Sequence, residues 1–317
     1  MRFNDLPNYP HLCYPTPMPL FPLTTTNLPA VARFLRRLNA LPEHNICYIG
    51  LTETEISAEL SVVLPPEGYG LLAVDESGQV AGFLGVEMDT SLGRAWLIGP
   101  FVDTLDWQTL ADDLYQAALQ SLPGEINDLE LCGRPENARL EEFAARHGFT
   151  RSADAALLSL SRPVETDDFI PAPAKVAFLD TPDQIAAYLP ALSALHDTLF
   201  PKTYYAAAQL LAMSAEEEKR LLIALVNGDV AGYIFLQARP ASCDANIDFL
   251  GVAEPYRRGG IAGKLLADAL AWAFAHPFVD QAVLTVHTSN TAAIRLYEKA
   301  GFKTDFILRG YRNKSEK

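Results

Sequence analysis

Asn290-Thr291-Ala292-Ala293-Ile294-Arg295-Leu296-Tyr297-Glu298-Lys299-Ala300-Gly301-Phe302 reads as a short helix with its start and stop signals in place, and the chain carries that text twice. The other copy is Asn137-Ala138-Arg139-Leu140-Glu141-Glu142-Phe143-Ala144-Ala145-Arg146-His147-Gly148-Phe149, displaced by 153 positions. Asn suits a helix N-cap, because its side chain can take one of the orphan backbone amides of the first turn. Gly suits the left-handed residue that follows a helix. The Phe beyond it is then expected to drop into a core.

Outward from this pair, the same order of elements repeats. A strand and a helix open each unit, at Leu20–Leu23 with Leu28–Asn39 and at Val176–Leu179 with Asp183–Leu195. A hairpin follows, and its turn Gly78-Gln79-Val80-Ala81-Gly82-Phe83 matches Gly228-Asp229-Val230-Ala231-Gly232-Tyr233 at an offset of 150. The next strand ends in Leu97-Ile98-Gly99 and in Phe249-Leu250-Gly251, an offset of 152, and a long amphipathic helix follows each. Such similar offsets across separate elements argue for one α/β unit written twice rather than two unrelated α/β domains that share common turn residues. The length of 317 residues suits two domains. Proline-rich breaks in the first 22 residues and around Pro163, Pro171 and Pro173 set the expected boundaries: a first domain over 1–162, a linker over 163–175 and a second domain over 176–317.

Composition limits the function. With 39 acidic and 25 basic residues, a net charge of −14, the surface repels a phosphate backbone and excludes nucleic acid as a partner. It suits a cationic small molecule such as an amine. The four cysteines (Cys13, Cys47, Cys132, Cys243) form no CxxC pair, and the six histidines are scattered. We read from this no structural metal, no disulfide framework and a reducing cytoplasm. No apolar run approaches the roughly 20 residues needed to span a bilayer, and the N-terminus lacks the apolar core of a secretion signal.

The repeat separates scaffold from chemistry, since residues found in one copy alone are candidates for function. One such feature is Arg257-Arg258-Gly259-Gly260-Ile261-Ala262-Gly263-Lys264, between a strand and the helix that runs to about Ala275. Glycines at a helix start leave the backbone amides uncovered, and with the helix dipole they make an anion site suited to a pyrophosphate. The first copy has Asp103-Thr104-Leu105-Asp106-Trp107 there, whose carboxylates compete with any phosphate. The loop is no Walker A motif, which needs Gly at Arg258 and Ser or Thr at Leu265. The other feature is Tyr297, which has Ala144 as its counterpart. A phenol can protonate a leaving group that turns basic as its bond breaks. Taken alone Tyr297 reads as a helix core residue; its coincidence with the glycine loop favours chemistry.

These segments resemble the GNAT acetyltransferases. The family's phosphate loop, Arg or Gln followed by x-x-Gly-x-Gly/Ala, is matched by Arg257-x-x-Gly260-x-Ala262, and its final helix by Asn290 to Phe302. The match covers Leu221–Phe302 well and Val176–Leu210 in topology. The resemblance implies an α/β (mixed α+β) fold of two tandem GNAT-like domains, each a mixed, mostly antiparallel sheet flanked by helices, the first half degenerate and without a cofactor site. It implies acetyl-CoA held by Leu250, Gly251 and Val252 along the pantetheine arm, by residues Arg257 to Lys264 at the phosphates, and by Asn290 and Tyr297. An amine of a small molecule or peptide would attack directly, with Tyr297 protonating the departing thiolate. Where many relatives carry a basic Glu this chain has Thr285, so the base is sought in Asp248, which alternates along its strand with Asp244 and Asn246, or in His287. The acceptor would meet Asp248 and the segment bearing His196, Phe200, Tyr204 and Tyr205; the two tyrosines read either as a cation-stacking pair or as an apolar patch between domains. A tandem chain can act as a monomer that mimics a dimer, or as a homodimer. The alternative to an enzyme is a non-catalytic acyl-CoA-binding sensor or interaction module, for which Tyr297 is unnecessary.

Overall fold

Asn227 and Gly228, with φ of 53° and 91°, join two strands by the tightest hairpin connection, a two-residue turn that needs positive φ at both positions. The matching turn in the first half is longer. There Asp75 accepts from the amides of Ser77 and Gln79, both at 2.9 Å, and only Gly78 is left-handed. The computed structural model describes residues 18–65, 68–162, 175–201 and 203–314. Residues 1–17 of the proline-rich start and 163–174 of the expected linker lie outside the described residues.

The first half runs β1 (Leu20–Pro22), α1 (Leu28–Asn39), α2 (Glu53–Glu59), β2 (Gly68–Val74), β3 (Val80–Asp89), β4 (Arg94–Val102), α3 (Trp107–Ser121), β5 (Asp128–Gly133), α4 (Ala138–Arg146), β6 (Thr150–Arg151) and β7 (Ala155–Ser161). The second runs β8 (Val176–Leu179), α5 (Pro182–Ala186), α6 (Leu189–Leu199), α7 (Ala207–Met213), β9 (Lys219–Val226), β10 (Asp229–Arg239), β11 (Asp244–Val252), α8 (Ile261–Ala275), β12 (Gln281–His287), α9 (Thr291–Lys299) and β13 (Lys303–Lys314). Each half is thus a mostly antiparallel sheet with helices on its faces, as the sequence indicated. The reasons are local. In α1, Val31, Phe34, Leu35 and Leu38 fall on one buried stripe. A reciprocal capping box between Thr52 and Glu55 starts α2. Asn137 and Asn290 cap α4 and α9 by accepting from Leu140 N (3.0 Å) and Ala293 N (3.2 Å). Gly148 and Gly301 follow at φ 74° and 96°, and Phe149 and Phe302 are buried.

The sheet joins the halves. Its order is β1-β2-β3-β4-β5-β13-β7-β12-β11-β10-β9-β8, with β6 beside β13. The last strand of each half is therefore exchanged: β13 pairs with β5, β7 pairs with β12, and β7 and β13 pair with each other. Arg162, at the end of β7, donates to the carbonyls of His276 (2.6 Å) and Val279 (2.9 Å), covering the C-terminal end of α8.

In each half one strand pair is parallel and short. Arg94–Trp96 of β4 runs beside Asp128–Glu130 of β5, and Asp244–Ile247 of β11 beside Gln281–Leu284 of β12. Beyond those residues the strands part and leave a wedge. A bulge sits at the mouth of each: in β11, Phe249 faces Phe235 and Ile247 faces Leu236, so Asp248 is the extra residue. Register also corrects the alignment of the copies. Asp89 faces Arg94 as Arg239 faces Asp244, and Gly82 faces Val102 as Gly232 faces Val252. The offset through β4 and β11 is thus 150 throughout, not 152. Pro100 stands where Leu250 does, and Ile98 where Asp248 does.

Cys47 and Cys132 form a disulfide across 85 residues, with Cα atoms 5.1 Å apart. This corrects the reading of the cysteines, which pairs none of them; only the fold brings the two together. Cys243 is free and exposed. Among the described residues no helix is long and apolar enough to cross a membrane, and no group of three or more His, Cys, Asp or Glu could hold a metal ion.

Candidate active site

The two wedges differ, and the difference lies in what lines them. In the first half, Ile46 bridges Gly133 and Cys47 N donates to Cys132 O at 2.8 Å. The opposite edge of β5 is already taken by β13, so this segment fills the edge that β4 has left. The disulfide pins it there. Pro100 supplies no amide hydrogen on the facing strand, and Asp106 caps α3 by accepting from Thr109 N (3.3 Å). In the second half no bridge of that kind reaches β12 among the described residues.

Helix α8 opens without a side-chain cap. Gly260 is its left-handed N-cap residue at φ 83°, and Arg258 is left-handed at φ 63°. A Cβ at Gly263 would meet nothing within 4 Å, so the first turn faces open space. The amides of Ile261, Ala262 and Gly263 are thus available to an anion, and the donor set fits a pyrophosphate. The cations are arranged less directly. Arg257 folds back to donate to Val252 O at 3.1 Å, and Lys264 pairs with Asp268 one turn on. Gly251 has a packing role as well: a Cβ there would lie 2.5 Å from Leu199 Cδ1, so its absence lets the end of α6 rest on β11.

Tyr297 lies on α9, 7% exposed, with its ring edge-on to Phe302 at 5.7 Å. Burial pushes its phenol up to about 12. Its hydroxyl has no hydrogen-bond partner among the described residues. The counterpart, Ala144, is fully buried.

On the other face of β11, Asp248 gathers three donors: Tyr204 Oη (3.1 Å) and Asn246 Nδ2 (2.9 Å) to Oδ1, and Gln237 Nε2 (3.0 Å) to Oδ2. Burial nevertheless raises its carboxyl above the ordinary carboxylate range, against the pull of those donors and of Arg239. Asp244 is taken by a two-pronged pair with Arg239, 2.7 Å at each contact, and is 4% exposed. Sequence reasoning missed Gln237, whose place follows from the hairpin register that sets it opposite Asn246. His287 is exposed at the end of β12, and no contact joins it to Asp248 or Tyr297 among the described residues. Asn290, expected at the cofactor, is occupied as the α9 cap.

The acceptor segment divides. Tyr204 is 46% exposed and tilts over Phe249 at 5.2 Å. Phe200 packs inward against Phe249 (5.1 Å) and Tyr233 (6.3 Å). His196 is 1% exposed, so it lies in the core and does not line a cleft.

Residues 188–302 match the Acetyltransferase (GNAT) family. Two archaeal proteins named N-alpha-acetyltransferase are similar, one from Sulfurisphaera tokodaii (33% identical over 106 residues; 30% of this chain, 64% of that protein) and one from Saccharolobus solfataricus (32% over 99 residues; 28% and 59%). The chain thus spans less than two thirds of the length of either. Among solved structures, a GCN5-related N-acetyltransferase from Sphaerobacter thermophilus superposes with a TM-score of 0.73 at 17% identity, covering 93% of this chain and 95% of that one. A tandem GNAT protein from the clavulanic acid biosynthesis pathway gives 0.67 at 17%, covering 95% and 99%. At such identities the likeness is one of fold, and it extends over both halves.

Proposed function

We propose, from the premise that residues 188–302 form a domain of the GNAT acetyltransferase family, that the chain is an acetyl-CoA-dependent N-acetyltransferase with one working site, in residues 176–317. The observation that carries this reading is the asymmetry of the wedges: one open, with an uncapped glycine-rich helix start and a buried phenol, the other filled and capped by a carboxylate. Residues 1–162 then serve as a degenerate partner, and 163–175 join the two.

Acetyl-CoA would supply an acyl group activated as a thioester. In this reading the amides of Ile261 to Gly263 hold the pyrophosphate, with Arg258 beside it. The backbone of Leu250 to Val252, which has no strand partner on its wedge side, orients the acyl arm, with Val252 O already taken by Arg257. Tyr297 delivers its proton to the leaving sulfur; a phenol is protonated at neutral pH, and negative charge developing on the sulfur draws that proton. Asp248 receives the acceptor amine and takes up its proton, and burial moves this carboxyl toward the range useful to a base. The exposed His287 is the second candidate for proton removal. The name of the archaeal relatives, N-alpha-acetyltransferase, favours an α-amino group of a peptide as acceptor over other primary amines.

The test is a panel of peptide and small-molecule amines with acetyl-CoA, followed by release of free thiol. Turnover on an amine is the expected result. Tight acetyl-CoA binding with no turnover on any amine would replace the enzyme by an acyl-CoA sensor.

A further inference from the structure

His196 is enclosed by the rings of Phe249, Tyr233 and Phe200, at 5.0, 5.7 and 5.8 Å. Both ring nitrogens have partners: Nε2 is 2.8 Å from the carbonyl of Tyr205, and Nδ1 is 2.6 Å from Tyr233 Oη. A carbonyl only accepts, so Nε2 carries the proton, and in the neutral ring Nδ1 accepts from the Tyr233 hydroxyl. That assignment follows from the partners. Tyr233 is itself fully buried.

Between α6 and α7, the described residues 201 and 203–205 belong to no helix or strand and make no backbone–backbone hydrogen bond. The imidazole is therefore a buried polar tether of this loop to the sheet, beside the more exposed contacts of Tyr204 with Asp248 and of Tyr205 with Gln237. Next to the tethered residue is Tyr204, edge-on to Tyr205 at 4.9 Å, whose hydroxyl donates to Asp248. A path of direct contacts runs from Tyr233 through His196 and the Tyr205 carbonyl to Tyr204 and Asp248.

We propose that His196, oriented by Tyr233, is a positioning residue for the amine acceptor: it fixes the loop so that the Tyr204 hydroxyl stays on Asp248 and the carboxylate keeps one aim. This rests on the reading that Asp248 faces the acceptor. It also reassigns His196, which the sequence suggested as a residue touching substrate. A buried imidazole with both nitrogens engaged has no atom to offer a ligand, yet its loss would loosen the group that does.

Four variants test it, in the full chain and on an amine that the wild type acetylates. Tyr233→Phe removes only the partner of Nδ1, and His196→Leu removes the tether. Each should raise the KM for the amine roughly tenfold, the scale of one buried hydrogen bond, while acetyl-CoA affinity by calorimetry stays unchanged. His196→Gln keeps a donor for the Tyr205 carbonyl and should recover most of the loss. Tyr204→Phe should cost the same alone as it does together with Tyr233→Phe, because both break one path. Equal losses for amine and acetyl-CoA, or strictly additive effects, would overturn the proposal in favour of a merely structural histidine. Hydrogen exchange at amides 206, 209 and 210, which are hydrogen-bonded at the start of α7 beside the tethered Tyr205, supplies a readout free of activity. Faster exchange is expected in Tyr233→Phe and in His196→Leu, and unchanged exchange in a folded variant overturns the tether. Should the wild type acetylate no amine, the enzyme reading fails by itself, and the exchange data still decide the tether.

Discussion

A phenol and a carboxylate on opposite faces of one sheet can each be altered by a single atom or group. Tyr297→Phe keeps the ring against Phe302 and removes only the hydroxyl. The maximal rate should fall by roughly 100- to 10,000-fold, the range for a positioned proton donor, while acetyl-CoA affinity moves little; steady-state kinetics beside calorimetry checks both. Glu59 gives a second residue-scale expectation. Its carboxylate accepts from Gly50 N at 2.5 Å, and burial, followed by the repulsion of Glu55, pushes its pKa from 4.5 to about 7. The folded chain then binds more proton than the unfolded one between those values, so this residue's contribution is fullest below 4.5 and is lost as pH rises through 7. Glu59→Gln should flatten that slope, seen as a smaller gap between denaturation midpoints at pH 5 and pH 8. The repeat made Tyr297 and both Asn caps legible, because their meaning depends on neighbours within one helix. His196 was misjudged for the opposite reason: its enclosing rings come from β10 and β11, and nothing near position 196 announces them.

The glycine loop was readable as an element because its signal is local: glycines, a strand before and a helix after. What the sequence did not disclose is that Gly260 needs a left-handed backbone, so substitution there mixes strain with charge. Gly263 separates the two. It has a helical backbone and open space around its Cβ position, and a carboxylate in the first turn agrees with the helix dipole. Gly263→Asp should therefore hold or raise the melting temperature while acetyl-CoA affinity drops at least tenfold, a loss of about 1.4 kcal/mol. Retained affinity would move the phosphates elsewhere. The filled wedge of the first half was only half legible. Its acidic helix start is written in Asp103 and Asp106, but the plug of Ile46 and Cys47 depends on a contact between distant segments.

For the whole molecule, the two copies predicted two similar halves, and the sheet shows that they are interlocked. Strand exchange leaves no trace in the sequence, since β7 and β13 read alike whichever half they join. Expression of residues 170–317 alone removes β7 from between β12 and β13 and exposes both edges, so the fragment should aggregate or fail to fold. A monomeric fragment with full acetyl-CoA binding would show that β12 and β13 can close on each other without it. Titration of the intact chain should return one acetyl-CoA site, with the second wedge closed by its plug and disulfide.

The exchanged strands also set an order of events during synthesis. Everything from β1 to β7 leaves the ribosome early, yet β5 acquires its outer neighbour only when β13, the last described strand, has been made. The nascent first half must wait with an open sheet edge while about half of the chain is still being added, a situation that invites holding by chaperones. A truncation that stops short of Lys303 would deprive the first half, not only the second, of its closing strand.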